Sequence, residues 1–159
     1  MQYIPKILIK PIEKYFIDQY DLATFLSIVA LTTNNLQNIV KLSTTSIPLK
    51  KNKNIEDESI PTKNVITYMG QGIFGNIFNN IELLRDYGKI IGKDLINNQE
   101  ILQDHAISTQ IAAFYWRKQQ LFKFKGHLQS LQNILKFDTI DTSDYTKISN
   151  LYQNYLEKA

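Results

Sequence analysis

Apolar residues recur at helical spacing along most of this chain. Tyr15, Phe16 and Ile17 sit among Glu13, Lys14, Asp18 and Gln19, which predicts a short helix over 12–20 with Pro11 at its first position. Asp21 reads as the N-cap of a second helix, because Leu22, Phe25, Leu26, Val29 and Ala30 follow the i, i+3, i+4, i+7, i+8 pattern. That helix should end at Thr32-Thr33-Asn34-Asn35, whose side chains compete with the helical backbone. A third apolar stretch holds Leu36, Ile39, Val40 and Leu42. The periodicity then stops. Residues 43–64, with two Pro, Ser/Thr clusters and a basic-then-acidic block, predict a long surface loop. Beyond Tyr68-Met69-Gly70-Gln71-Gly72 the helical pattern returns. It predicts helices over 80–91, with Ile81, Leu84 and Tyr87 on one side and Gly88 or Gly92 as the stop, and over 108–120, with Ile111, Phe114 and Tyr115. A turn over 94–98 leads into a short helix. A further helix over 121–137 is interrupted by Gly126, and a last one, capped by the Asp141 to Asp144 tract, runs to Leu156. The expected fold is mainly α, with at most one small β-hairpin near the glycine-rich segment.

Composition narrows the class. A chain of 159 residues with 43% hydrophobic and 21% charged residues suits one globular domain over 1–159. The absence of Cys removes disulfides, thiolate metal sites and a Cys nucleophile, and two His (His105 and His127) make a metal centre improbable. No motif asks for a cofactor. The longest apolar run, Leu22 to Leu31, is too short to span a bilayer, and the N-terminal stretch lacks the layout of a signal peptide, so synthesis in the cytoplasm is expected. The net charge is only +3, and 16 of the 18 cations are Lys, so the chain lacks the Arg forks and dense basic stripes of a nucleic-acid reader. Gly70, Gly72 and Gly75 formally read G-x-G-x-x-G, yet only the short Val65 to Tyr68 could precede them as a strand and no second parallel strand is evident. His105, after Asp104, reads as a cap or surface residue. In the Phe122-Lys123-Phe124-Lys125 tract, the aromatics read as core and the lysines as solvated.

Three blocks taken together resemble the glycoside hydrolase family 19 domain of chitinases and phage endolysins. Tyr68, Gly70 and Gly72 match that family's Y-x-G-R-G segment. Tyr87-Gly88, Gly92, Asp94-Leu95, Asn98 and Ile101-Leu102 match its N-Y-x-x-Y-G-x-x-x-G-x-D-L-x-x-N-P-x-L segment, and Ala112 to Trp116 match its A-x-W-F-W helix. Upstream, Ala23 to Ala30 resemble its A-x-F-L-A-Q-x-A-H-E-S helix. The resemblance covers roughly residues 10–118 and implies a lysozyme-like α+β scaffold, with Trp116 packed in the core.

The departures fall on chemistry. In the family, the Glu of H-E-S is the general acid and a second carboxylate activates water, the two held about 6.5–9.5 Å apart for inversion. Here Leu31-Thr32-Thr33 replaces H-E-S, so Thr32 takes the acid's place, and the second acid's position falls on Val40 and Lys41. A Thr hydroxyl does not donate protons as a carboxylic acid of raised pKa does. Gly70-Gln71-Gly72 replaces Gly-Arg-Gly, Gly75 to Phe78 replaces the sugar-binding Gln-Leu-Thr-Gly tract, and the C-terminal Asn-Gly-Gly motif is absent. The resemblance thus implies a pseudoenzyme that binds glycan, of the peptidoglycan or chitin type, or a protein partner, with Tyr68, Gly70, Gln71 and Asn76 lining the former substrate cleft. Two alternatives stand beside it. One is an active, diverged hydrolase with Glu56 or Glu58 as a relocated acid, although Glu56, Asp57 and Glu58 equally read as a solvated loop face. The other is a structural component of a phage-derived or secretion-related assembly that reuses the fold.

Overall fold

Asp18 starts the central helix of the protein. In the computed structural model, which describes residues 3–48 and 62–157, its backbone is extended and its Oδ1 accepts from Asp21 N at 2.8 Å. The helix it caps, α2, spans Gln19–Thr33. The expected cap, Asp21, instead sits in the first turn, fully buried, where its carboxylate accepts from Trp116 Nε1 at 2.9 Å and from Ile17 N at 3.1 Å. Every residue from Asp21 to Ala30 is buried, so α2 has no solvent face at its middle. That makes it a core helix rather than the amphipathic one its spacing predicts. Its hydroxyls fit this dry setting by bonding to carbonyls one turn back: Thr24 to Tyr20, Ser27 to Ala23, Thr32 to Ile28 and Thr33 to Val29.

The other helices wrap this axis. The short α1 (Lys6–Ile9) runs into a 3₁₀ segment over Lys10–Tyr15, in place of the helix expected over 12–20. Pro11 lies near the start of that segment, and the chain turns extended at Phe16. Next come α3 (Ile73–Phe78), α4 (Ile81–Ile91), a 3₁₀ turn over Gln99–Gln103 and α5 (His105–Lys118). The chain continues through a 3₁₀ turn over Leu121–Phe124 into α6 (Leu128–Leu135), and α7 (Thr142–Glu157) lies along α2. The helix expected over 121–137 with an interruption at Gly126 is a 3₁₀ turn and α6, parted at that glycine, where φ is 79° and a Cβ would meet the Tyr20 ring. On α4, Leu83, Leu84 and Tyr87 face the core, whereas Ile81, expected inside, is exposed. His105 is exposed at the start of α5, capped by Asp104, and Trp116 is fully buried, edge-on to Phe25 at 5.5 Å.

Between α2 and α3 the chain forms one antiparallel hairpin, β1 (Val40–Pro48) with β2 (Thr62–Gly70), in register from Val40↔Gly70 to Pro48↔Thr62. This corrects the surface loop expected over 43–64: residues 43–48 and 62–64 belong to strands, while 49–61 lie outside the described residues. Thr, Ser, Val and Ile dominate these strands, and Thr is as suited to a pleated strand as to a loop. Three successive left-handed residues, Asn34, Asn35 and Leu36, turn the chain from α2 towards β1. Thr33 Oγ1 secures that turn by accepting from Leu36 N at 2.9 Å. Among the described residues the molecule is mainly helical with a single two-stranded sheet, and no helix is long and apolar enough to cross a membrane.

Candidate functional site

The C-terminus of α2, the base of the hairpin and the N-terminus of α3 converge, and most sequence-singled residues lie at that junction. Thr32 is in the last turn of α2, half-buried, and its Oγ1 donates to Ile28 O at 2.7 Å. Val40 pairs with Gly70 and Lys41 with Met69 at the base of the hairpin, and Leu42 pairs with Tyr68. Gln71 N extends the ladder by donating to Ile39 O at 3.0 Å. Glu56, Asp57 and Glu58 lie outside the described residues.

The glycines of this segment are packing devices. A Cβ on Gly70 would stand 2.1 Å from the carbonyl carbon and oxygen of Phe74, so the end of β2 lies directly on the backbone of α3. Gly72 has φ 58°, a conformation that favours glycine, and a Cβ there would meet Thr32 Oγ1 at 2.3 Å. With only one two-stranded antiparallel sheet among the described residues, no βαβ unit surrounds the G-x-G-x-x-G pattern.

Gly70, Gln71 and Asn76 line one cleft of about 330 Å³. Its opposite wall is Leu135 to Asp138, the turn between α6 and α7, which the sequence reading did not assign to the site. Lys136 is left-handed at φ 57°, and its N donates to Gln132 O at 2.7 Å. Phe137 is buried, while Lys136 and Asp138 are exposed. Asn76 Nδ2 donates to Leu135 O, which ties α3 to the end of α6 and holds the two walls together. Nothing local links residue 76 to residue 136; only the tertiary fold brings them face to face.

Glycine backbone, a Gln, an Asn, a Lys and an Asp supply donors and acceptors for hydroxyl-rich ligands. Asp138 is the only acid among the described residues lining this cleft, whereas inversion requires two facing carboxylates. Elsewhere, burial raises the carboxyl pKa of Asp21, as a general acid would require, but that residue is sealed beneath Trp116. It stands eleven residues from Thr32, about 16 Å along the helix axis. Among the described residues no three His, Asp or Glu side chains converge as metal ligands would.

The contact between Gly72 and Thr32 can be tested directly. Gly72→Ala should lose about 2–3 kcal/mol, from the left-handed backbone and the clash together. Thr32→Gly, which removes every atom of that clash, should recover about 1 kcal/mol of the loss in a double-mutant cycle followed by urea unfolding. Strict additivity would mean the two residues do not touch.

Compared with protein-family models, with curated proteins and with solved structures, the chain matches none of them.

Proposed function

We propose that this protein is a catalytically degenerate glycoside-hydrolase-like domain that binds glycan in the cleft between the glycine-rich segment and the α6–α7 turn. The observation that carries the reading is the state of Thr32. At the position where the resembling family holds its general acid stands a hydroxyl bonded to its own helix and pressed against Gly72. Such a group neither donates nor accepts a proton near neutral pH. The adjoining cleft keeps polar groups suited to sugar hydroxyls, which supports retained binding without turnover.

The test pairs co-sedimentation on insoluble peptidoglycan and chitin with muropeptide and oligosaccharide release from the same samples. Binding without release is expected, and Gln71→Ala should weaken it several-fold, because one hydrogen bond to a sugar contributes about 1 kcal/mol. Product release that disappears in Glu56→Gln or Glu58→Gln would replace this reading by that of an active, diverged hydrolase. Neither binding nor release would end the glycan reading.

A further inference from the structure

Helix α4 carries a surface feature that the glycan reading does not use. On it Arg85 and Lys89 stand one helical turn apart, about 6 Å along the axis, and Lys93 follows just past the left-handed Gly92 that ends the helix. These three exposed cations line one cleft of about 400 Å³, within the usual range for a small-molecule site. The cleft is open at Gly92, where a Cβ would meet nothing within 4 Å.

Among the described residues no acid answers these charges. None of the three cations takes part in an ion pair. Asp86, on the same helix, is taken by Lys118 at 3.1 Å, and Glu82 makes no pair with Arg85 three residues on. Asp94 is the one acid among the described residues lining the cleft, and both its oxygens are engaged. Its Oδ1 accepts from Asn97 N at 3.1 Å and its Oδ2 from Asn97 Nδ2 at 2.7 Å. The lining therefore sets three unpaired cations against one occupied carboxylate. A cation in the last turn of a helix is ordinary, since it meets the negative end of the dipole, and that accounts for Lys89. It does not account for Arg85, which stands before that turn with a like charge at i+4.

We propose that this cleft binds a linear oligophosphate, a diphosphate or triphosphate group in its simplest form. Cations repeated along the chain direction meet charges repeated along a ligand better than they meet a single carboxylate. The Arg85 guanidinium adds the planar fork of donors that phosphate oxygens accept. The site is separate from the glycan cleft and does not depend on that reading.

Calorimetric titration of the full chain with orthophosphate, pyrophosphate and tripolyphosphate at low ionic strength tests the proposal. Affinity should rise in that order, and pyrophosphate should bind more tightly than citrate, a compact multivalent anion. Arg85→Gln and Lys89→Gln should each weaken pyrophosphate about 2- to 5-fold. Both residues are exposed, so their replacement leaves the fold intact, which circular dichroism verifies. Lys123→Gln removes an exposed cation that does not line the cleft and should leave the affinity unchanged. Equal weakening by Lys123→Gln would show that net charge alone attracts the anion and would overturn the site, as would the absence of saturable binding. Citrate bound as tightly as pyrophosphate, or no gain from pyrophosphate to tripolyphosphate, would overturn the assignment of the ligand.

Discussion

Asp21→Ala should lower the free energy of unfolding by about 3 kcal/mol, since it leaves Trp116 Nε1–H buried without an acceptor and removes the acceptor of Ile17 N–H. For a domain of this size that corresponds to a fall in Tm of roughly 6–12 °C. Asp21→Asn keeps one acceptor oxygen and should lose less. The two variants also separate shape from charge. Burial raises the Asp21 carboxyl above the ordinary Asp value of 3.8, against the opposing hydrogen bonds from Trp116 and Ile17. The folded protein therefore holds this proton more tightly than the unfolded chain does. Its contribution to stability is fully present below pH 3.8 and is lost as pH rises through the raised folded pKa. Asp18, lowered chiefly by its hydrogen bond from Lys125, acts in the opposite sense, and its contribution is lost as pH falls below 3.8. Urea unfolding of wild type and Asp21→Asn from pH 3 to 7 isolates the first effect. The wild type should lose ground to Asp21→Asn as pH rises from 3.8, and a constant difference across the range would refute the assignment.

Gly70→Ala should be at least as damaging, at about 3 kcal/mol, and here the loss should reach the cleft. The new methyl group would stand 2.1 Å from the Phe74 carbonyl and 2.5 Å from Gly75 N, both backbone atoms with no rotamer to escape into. Either β2 or α3 must move. Moving α3 strains the bond from Asn76 to Leu135 that holds the cleft walls together. Loss of glycan co-sedimentation should therefore accompany the lower Tm. Gly92→Ala is the control. It has a positive φ, 71°, which Gly70 lacks, and a Cβ there meets nothing within 4 Å, so about 1 kcal/mol and full binding are expected. Similar effects at both positions would show that the close approach to α3 adds nothing at Gly70.

What could be read beforehand was local chemistry. Asp141, whose Oδ1 accepts from Ser143 N and Asp144 N, and Gly92, left-handed at the end of α4, act within a few residues of themselves, so their roles are written in the adjacent sequence. Asp18 and Asp21 show the limit. Both precede the same apolar run, and what makes one the cap and the other a buried acceptor is Trp116, 95 residues away. The hairpin was underestimated because its strands are rich in Ser, Thr and Lys and lack a clear apolar alternation. In the candidate site, Gly70, Gln71 and Asn76 were legible because they follow one another closely. Lys136 and Asp138 were not, since they reach the cleft only where the end of α6 is tied to α3 by the bond from Asn76 to Leu135.

The burial of α2 on every side has a consequence for how the molecule opens. A helix with one wet face can fray while the remainder stays folded, but no fluctuation can bring water to residues 22–30 without parting α2 from the elements around it. The amides of this segment should accordingly exchange with solvent only when the whole chain unfolds. Their protection factors then report the global free energy under native conditions, and the slowest-exchanging protons of the molecule mark the helix at its centre.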